Sequence, residues 1–313
     1  MVSDRQHPAM ARLLGDPDVE RAVAVLSERL SGSDLTTLLM EVARRRAGRL
    51  TVGDVLRQYR QDRFAEPATV DAGRLRAVEN RAVEGAADHF ELVVLAPVVP
   101  LGTHSTLAGV SQNNVVTTMR GTEVAADPTN ALALEAAVRR RRLLDDDSRS
   151  TTPVRLAAVQ RVVRAQLFEG PRSFAHFSLL GAVTAGRDIG DHAFEIDAVV
   201  QHVQTLAATT LAIGASEVRV TITDFGGQHG AVVEHVIERL HGSDIDAVEW
   251  TDRQGGRAYY INICFKLHAR FGDEDVEVGD GGLVTWTQRL VQSRKERLMI
   301  SGLGLDHLAA VRS

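Results

Sequence analysis

Two arginines in one strand–loop–strand pattern are the residues of this sequence best suited to bind a phosphate. In "RVVRAQLFEGPRSFAHF", Arg164 lies inside an apolar, strand-like run, and Arg172 follows a Gly-Pro pair where the pattern predicts a turn. A planar guanidinium donates two parallel hydrogen bonds to a phosphate or carboxylate, so a pair of them predicts an anion site. The alternative is an ordinary hairpin in which Arg164 faces solvent or pairs with an acid such as Glu195.

An acid and a hydroxyl two residues apart, Asp127 and Thr129, stand where a helix is predicted to begin. Asp127 directly precedes Pro128, and this pair is typical of an N-cap followed by the first helical residue. A helix N-terminus can also bind a ligand beside its cap. Two roles therefore stay open for Asp127: capping the helix alone, or contacting a substrate as well.

Two glycine-rich segments offer a further kind of binding feature. "GDGGL" contains Gly281 and Gly282, and "GLGL" contains Gly302 and Gly304. Neither has the Gly-x-Gly-x-x-Gly spacing or the Lys-Ser/Thr pair of the common phosphate-binding loops. Because glycine has no side chain, these positions predict strands that backbone or ligand atoms approach closely.

Several other chemistries do not fit the residue spacing. The sequence has no Gly-x-Ser-x-Gly nucleophile elbow, and its single cysteine, Cys264, lies in an apolar run that predicts burial. His229 and His235 lack the spacing of helical zinc motifs, so we expect no metal site there. The four arginines at 139–142 would suit an RNA backbone, but the aspartates at 145–147 favour a solvated helix end.

The elements that must position these residues fall into two regions. Residues 1–66 contain short amphipathic helices, one of them opened by Thr51 and Asp54 at capping-box spacing. We predict an N-terminal helical region there and a core over residues 67–313. In the core, strand-rich stretches are framed by helices and joined by tight hairpins, which favours an antiparallel sheet flanked by helices, an α+β fold.

Composition places the chain among globular proteins, with 44% hydrophobic and 25% charged residues. Aromatic residues make up only 4%, so the core must rest on Ala, Val and Leu. The net charge of −5 gives no global attraction to nucleic acid. The first residues lack the apolar stretch of a signal peptide, and no segment is long enough to cross a bilayer. We therefore predict a cytoplasmic protein without membrane contact.

Taken in order, four segments resemble the catalytic core of class II aminoacyl-tRNA synthetases, most like the histidyl branch. "ELVVLAPVVPLG", with Pro97 and Pro100, resembles the first motif, which forms the dimer interface in that family. "VRAQLFEGPRSFAHF" resembles the second motif, whose strand arginine contacts the α-phosphate of ATP. "YYINICF" and "GDGGL" resemble the paired tyrosines and glycine turn of the histidyl enzymes, and "SGLGLDHL" resembles the third motif.

The resemblance covers about residues 71–313. It implies a homodimer, ATP as cofactor with Mg²⁺ as a further candidate, and an amino acid or related carboxylate as substrate. An acceptor protein or RNA would then receive the activated carboxylate. The resemblance assigns nucleotide contacts to Arg164, Gln166, Arg172, Gly302, Gly304 and His307, with Arg164 and Arg172 as the catalytic cations. It assigns substrate contacts to Asp127, Thr129, Tyr259, Tyr260, Gly281 and Gly282.

The sequence departs from the family at several of these positions. Gln166 stands where the second motif has glutamate, and His307 stands where the third motif has arginine. Arg257 is only an offset counterpart of the arginine that precedes the paired tyrosines, and Ala125 replaces an arginine near Asp127. We also expect no anticodon-binding domain, because the third motif lies at the end of the 313 residues.

Two functions stay open. One is an ATP-dependent ligase that forms an acyl-adenylate on an amino acid or similar carboxylate for a non-standard acceptor. The other is a regulatory or ligand-sensing paralogue that kept the fold and lost the reaction, like the regulatory subunit of ATP phosphoribosyltransferase. Arg164 and the Asp127–Thr129 pair favour a ligand pocket. Loss of the third-motif arginine favours the sensor, because histidine is largely neutral at pH 7.

Overall fold

A computed structural model describes residues 8–166, 175–242, 245–257 and 259–311. Its first part is helical, as predicted. The helices are α1 (Pro8–Leu14), α2 (Pro17–Ala24, continued by a π-helical turn), α3 (Gly32–Ala47) and α4 (Val52–Tyr59). The predicted capping box is confirmed: Thr51 accepts from the amide of Asp54, and Asp54 accepts from the amide of Thr51. The division of the chain at residue 66 stays a prediction.

The rest of the described chain is an α+β fold built on one large sheet. Its strands are β1 (Glu91–Leu92), β4 (Val154–Val163), β5 (His176–Arg187), β6 (Glu217–Asp224), β7 (Ile245–Glu249), β8 (Ile261–Phe271), β9 (Glu274–Val284) and β10 (Glu296–Gly304). They lie in the order β1-β4-β5-β10-β9-β8-β6-β7. Only the outermost pairs, β1–β4 and β6–β7, are parallel in this sheet, so the predicted antiparallel sheet is confirmed.

A second, two-stranded sheet pairs β2 (Val98–Pro100) with β3 (Thr122–Val124). The pattern of "ELVVLAPVVPLG" predicts a strand interrupted by Pro97 and Pro100, and the structure divides this segment between β1 and β2. The pattern of "NNVVTTMRGTEVAA" predicts a hairpin with its turn near Arg120 and Gly121. This turn is confirmed, because Gly121 has φ +66° and the amide of Thr118 donates to the carbonyl of Thr122 at 2.9 Å. The sequence did not predict β7 or the short helices α6 (Thr103–Ala108) and α10 (Trp286–Val291).

Helices cover both faces of the large sheet. One face packs against α5 (Ala72–Ala87), α8 (Ala193–Ile213), α9 (Gly230–Leu240) and α11 (Leu305–Ala310). The other face packs against α6, α10 and α7 (Pro128–Asp146). Strand β10 shows the alternation expected of a strand between two layers: Met299 joins the first core and Ile300 the second. Cys264 is fully buried, as predicted.

Of the four arginines near the end of α7, Arg141 and Arg142 are exposed, whereas Arg139 and Arg140 are held by carboxylates. Arg140 is fully buried, and its Nε and Nη2 donate to the two carboxylate oxygens of Glu296 at 2.8 and 2.9 Å. Arg139 pairs with Glu91 and Glu135. The prediction that the aspartates at 145–147 balance these arginines is therefore wrong for Arg139 and Arg140, since tertiary partners already hold both guanidinium groups.

Candidate functional site

A cavity of about 510 Å³ opens beside the N-terminus of α7. Its walls come from that helix end, the end of β4, the loop before β8, and strands β9 and β10. The volume lies in the range of small-ligand sites, which is roughly 300–1,000 Å³. The predicted site residues that line it are Asp127, Thr129, Arg164, Gln166, Tyr259, Tyr260, Gly302 and Gly304.

Asp127 is the N-cap of α7, as predicted. Its Oδ1 accepts from the amide of Thr129 at 2.9 Å and from the Thr129 hydroxyl at 2.7 Å. Pro128, the first helical residue, packs on β5, where a Cβ on Gly181 would lie 2.6 Å from its Cγ. The cap fixes the Asp127 carboxylate in the cavity wall, so a contact with a ligand is compatible with capping.

Arg164 lies in the cavity wall directly after β4. Its Nε donates to the carbonyl of Ala126 at 2.9 Å, and its Nη2 lies 3.3 Å from Oδ2 of Asp127. The guanidinium also stacks over Phe177, with 5.1 Å between its carbon and the ring centre. Pairing with Glu195 is wrong, because Glu195 accepts from Arg297 Nε at 2.8 Å. The guanidinium of Arg164 is thus held in the cavity wall, where the negative charge of Asp127 partly offsets its positive charge.

The predicted hairpin of the second motif is confirmed up to its loop. Strands β4 and β5 pair in antiparallel register from Val154 with Ala185 to Val163 with His176. The second cation, Arg172, lies outside the described residues, so its proposed contact with phosphates stays a prediction.

Arg253 is a cavity residue that the sequence analysis missed. It is only 2% exposed, and its Nε donates to the carbonyl of Gly255 at 2.9 Å. Its Nη1 is buried without a hydrogen-bond partner among the described residues. Arg257, which the resemblance gave only as an offset counterpart of a motif arginine, is exposed over Phe225 and does not line the cavity. Both arginines precede the paired tyrosines, and only the fold of the loop distinguishes them.

Each described cation of the cavity wall faces an acid of the same wall. Two of the three pairs are loose, with nitrogen–oxygen distances above 3.2 Å, and carboxylates held this way remain able to exchange partners with a ligand. The pairs are Arg164 with Asp127 at 3.3 Å, Arg253 with Asp280 at 3.7 Å, and Lys266 with Glu277 at 2.6 Å. Mixed charge of this kind suits a zwitterion.

The paired tyrosines remain neutral hydroxyl groups in this wall. Tyr260 Oη donates to Oδ2 of Asp280 at 3.0 Å, and the Tyr259 ring packs edge-on against the Tyr260 ring, with 4.9 Å between the ring centres. Burial raises the pKa of both phenols well above the ordinary value, and the Asp127 and Asp280 charges raise it further. Burial also raises the pKa of Asp280, outweighing the hydrogen bond from Tyr260 and the charge of Arg253.

Three predicted residues do not line the cavity. Gly281 and Gly282 serve packing instead: a Cβ on Gly282 would lie 2.6 Å from the Tyr260 ring, and one on Gly281 would lie 2.7 Å from Phe265. This confirms the steric interpretation. The lack of a side chain at Gly282 leaves the space that the Tyr260 ring occupies. His307 lies on α11 and does not contribute to the cavity wall.

A buried dyad forms part of the cavity wall through His104, and no sequence pattern predicted it. His104 Nδ1 lies 2.6 Å from Oε1 of Glu123, and His104 Nε2 accepts from the amide of Ala126 at 2.9 Å. The ring proton therefore lies on Nδ1. Burial raises the pKa of Glu123, but hydrogen bonds from the amide of His104, from Gln112 and from the amide of Gly102 outweigh it, and the pKa falls below its ordinary value.

Among the residues that the structure describes, neither a metal cluster nor a membrane span accompanies the site. Within the described ranges, no group of three or more His, Cys, Asp or Glu side chains could hold a metal ion. None of the described helices is both long and apolar enough to cross a membrane.

No protein-family model and no curated protein sequence matches this chain. Solved structures match its fold. An ATP phosphoribosyltransferase regulatory subunit/histidyl-tRNA synthetase from Bacillus halodurans matches with a TM-score of 0.56 at 14% identity, over 79% of this chain and 81% of its own. Apo histidyl-tRNA synthetase from S. aureus matches with a TM-score of 0.57 at 14% identity, over 76% of this chain and 65% of its own. A histidine–tRNA ligase subunit from Alicyclobacillus acidocaldarius matches with a TM-score of 0.53 at 14% identity, over 78% of this chain and 94% of its own.

These likenesses concern the fold alone, because identities near 14% carry no residue roles. The chain has the fold of the class II synthetase catalytic core, so the predicted fold class and its resemblance to the histidyl branch are confirmed at that level.

Proposed function

We propose that the cavity binds an amino acid or a related small carboxylate together with ATP and joins them as an acyl-adenylate. In that reaction a carboxylate oxygen of the substrate attacks the α-phosphorus of ATP and forms a new O–P bond. The bond between the α-phosphorus and the bridging oxygen breaks, and pyrophosphate leaves with that electron pair. Positioned cations favour this step because negative charge develops on the transferring phosphoryl oxygens.

The observation that carries the amino-acid part is the unpaired Nη1 of Arg253. A buried donor without a partner costs about 1–3 kcal/mol, so a ligand acceptor at this position would recover that free energy. A carboxylate is the natural acceptor for a guanidinium. Asp127, with Thr129 and Arg164 beside it, then offers a carboxylate for the substrate ammonium group.

The ATP part has weaker support from the cavity. Arg164 and Gln166, to which the class II resemblance assigns nucleotide contacts, line the cavity, and Gly302 and Gly304 line it without side chains. Mg²⁺ usually binds through phosphates and one or two carboxylates, and Glu277 and Asp280 are available in the wall. Magnesium would there neutralise phosphate charge.

A specific observation favours the second candidate, a ligand sensor without adenylation. The residue at the third-motif arginine position, His307, does not line the cavity, so that part of the ATP clamp is absent from the described wall. One structural relative is described as an ATP phosphoribosyltransferase regulatory subunit/histidyl-tRNA synthetase. The sensor would use the same amino-acid pocket and lack exchange activity.

Isotope exchange between pyrophosphate and ATP, run with each amino acid and Mg²⁺, separates the two candidates. Exchange with one amino acid supports the ligase. Absence of exchange, with an amino acid that still raises the melting temperature, supports the sensor. If no amino acid raises the melting temperature or supports exchange, the proposal of an amino-acid pocket is wrong.

The dimer and the acceptor that the resemblance implies are also proposals. We propose a homodimer through the region around Pro97 and Pro100, and a protein or RNA acceptor for the activated carboxylate. The cytoplasmic location stays a prediction.

A further inference from the structure

Helix α4 exposes a complete apolar stripe. Val52, Val55, Leu56 and Tyr59 lie at i, i+3, i+4 and i+7, the spacing that puts side chains on one face of a helix. They are 88%, 55%, 50% and 45% exposed. Every other residue of α4 except Asp54 is exposed too, so nothing in the described part of the chain covers this stripe.

An eight-residue helix of this kind gains little stability by itself. Isolated helices shorter than about 12–15 residues are marginal in water. The capping box of Thr51 and Asp54 contributes on the order of 1 kcal/mol. The apolar stripe stabilises the helix only when another surface removes it from water. Helix α4 therefore has the properties of a segment that a binding partner completes.

The same stretch of chain is strongly basic. Residues 44–63 contain seven arginines and two aspartates, whereas the whole chain has a net charge of −5. Three of the arginines form the last turn of α3, and the others flank or follow the stripe. A cationic surface around an apolar stripe complements an acidic protein whose own helix carries an apolar face.

The chain leads from α4 directly to the mouth of the cavity. Arg63 donates to the carbonyl of Ala165, and Nε2 of His176 lies 2.7 Å from the carbonyl of Glu66. Ala165 precedes Gln166, which lines the cavity. Tyr59 ends the helix four residues before Arg63, and an extended chain spans at most about 3.6 Å per residue. A partner on α4 would thus sit beside the cavity.

We propose that residues 44–63 dock an acidic protein through an apolar helix face and hold it beside the mouth of the cavity. RNA fits the stripe less well, because three of its four apolar residues are aliphatic and bases stack on aromatic rings. A membrane surface fits less well, because two valines, one leucine and one tyrosine bury little apolar area. The inference does not depend on the reaction; if the proposed adenylation occurs, the docked protein is its acceptor.

The test uses a fluorescein-labelled synthetic peptide that forms an amphipathic helix with leucines on one face and glutamates on the other. Anisotropy should report saturable binding to the full chain. The double variant Val55→Ser/Leu56→Ser and the double variant Arg49→Glu/Arg60→Glu should each weaken binding at least about tenfold. All four side chains are exposed, so both variants should keep the melting temperature of the unchanged protein.

Matched controls separate docking at residues 44–63 from nonspecific electrostatic or hydrophobic binding of the peptide. Ile189→Ser removes an aliphatic side chain that is 55% exposed elsewhere, and Arg120→Glu reverses an exposed arginine at the turn before β3. Both should bind the peptide like the unchanged protein. A peptide with the same composition in scrambled order should not bind.

Several results would overturn the proposal. One such result is that the acidic peptide does not bind. Another is that the peptide binds but neither double variant weakens its binding. Binding of tRNA or of phosphatidylserine vesicles that is lost in the same variants, without peptide binding, would assign the surface to RNA or to a membrane instead. Dissociation of a homodimer by Val55→Ser/Leu56→Ser would assign it to a second copy of this chain. None of these results bears on the amino-acid pocket, which exchange and thermal measurements test separately.

Discussion

At the scale of single residues, the guanidinium of Arg253 makes fewer hydrogen bonds than a buried guanidinium usually does. Its Nε is bonded and its Nη2 lies 3.7 Å from Asp280, but Nη1 has no hydrogen-bond partner among the described residues. Binding sites commonly keep such destabilised groups because the ligand satisfies them. Stability and binding should therefore respond in opposite directions when the guanidinium is removed.

We predict that Arg253→Met leaves the unliganded protein as stable as before or more stable, because it removes the buried unpaired donor. The same change should lower affinity for the amino acid that best raises the melting temperature by at least about tenfold. Thermal unfolding with and without that amino acid measures both effects.

Arg257→Met provides the matched control, since Arg257 is exposed and does not line the cavity. It should leave both the stability and the amino-acid affinity unchanged. Equal affinity in Arg253→Met and the unchanged protein would remove Arg253 from the binding site.

The buried dyad of His104 and Glu123 positions the cavity wall through the backbone. His104 holds the amide of Ala126, and the carbonyl of Ala126 in turn accepts from Arg164. Removal of the Glu123 charge should therefore disturb both the stability of this wall and the placement of the Arg164 guanidinium.

We predict that Glu123→Gln destabilises the protein by about 1–3 kcal/mol at pH 7 and by less in acid. The pKa of Glu123 is lowered from 4.5 in the folded protein. Its contribution is therefore fully present above pH 4.5 and is lost as the pH falls through the lower, folded-state pKa. Urea unfolding across this range measures the difference in free energy of unfolding between the two proteins.

Glu84→Gln serves as the control, because the Glu84 side chain is 64% exposed in a surface ion pair. A difference between Glu123→Gln and the unchanged protein that stays constant from pH 7 into acid would contradict the assigned role of the carboxylate.

At the scale of elements, local signals predicted most of the structure that the chain builds from consecutive residues. The N-cap of α7 at Asp127 and the capping box at Thr51 were readable because both depend on residues within three positions of each other. The extents of the two strands in "ELVVLAPVVPLG" were not readable, because they depend on pairing with β4 and β3, which lie far away in sequence.

The same distinction explains the candidate site. The sequence indicated Asp127, Arg164 and the tyrosines through motifs, but it missed Arg253 and His104. Their roles depend on a loop conformation and on a contact across 22 residues, respectively. It placed Gly281 in the site, whereas the structure shows that strand packing explains that glycine.

The bidentate pair of Arg140 with Glu296 connects α7 to the start of β10, and both side chains are fully buried. We predict that Arg140→Met costs about 3–5 kcal/mol, because it leaves the Glu296 carboxylate buried and unpaired. The double variant Arg140→Met/Glu296→Leu should regain most of that loss. Chemical denaturation of both single variants and the double variant gives the coupling energy.

Arg141→Met is the neighbouring control, since Arg141 makes a long, exposed contact of 3.4 Å to the carbonyl of Val291. It should change the free energy of unfolding by less than about 0.5 kcal/mol. A cost for Arg140→Met no greater than that of Arg141→Met would show that the buried pair does not stabilise the fold.

At the scale of the whole molecule, the two edges of the large sheet differ. The β1 edge lies next to a group of exposed apolar side chains around the two prolines: Leu92, Val94, Val98 and Leu101. Val94 is completely exposed. Exposed apolar clusters of this kind commonly mark protein interfaces, and a two-fold interface uses the same patch on both copies.

We predict that the protein is a homodimer and that Val94→Asp/Leu101→Asp converts it to a monomer, because a two-fold interface would bury each new carboxylate, and a buried unpaired charge is costly. Light scattering after size-exclusion chromatography measures the mass of each variant. Val248→Asp, at the opposite edge strand β7 where Val248 is 41% exposed, is the matched control and should remain dimeric. A monomeric unchanged protein, or dimers that persist in the double variant, would place the interface elsewhere or remove it. Since Val94 and Leu101 lie outside the cavity wall, monomers should keep their affinity for the amino acid.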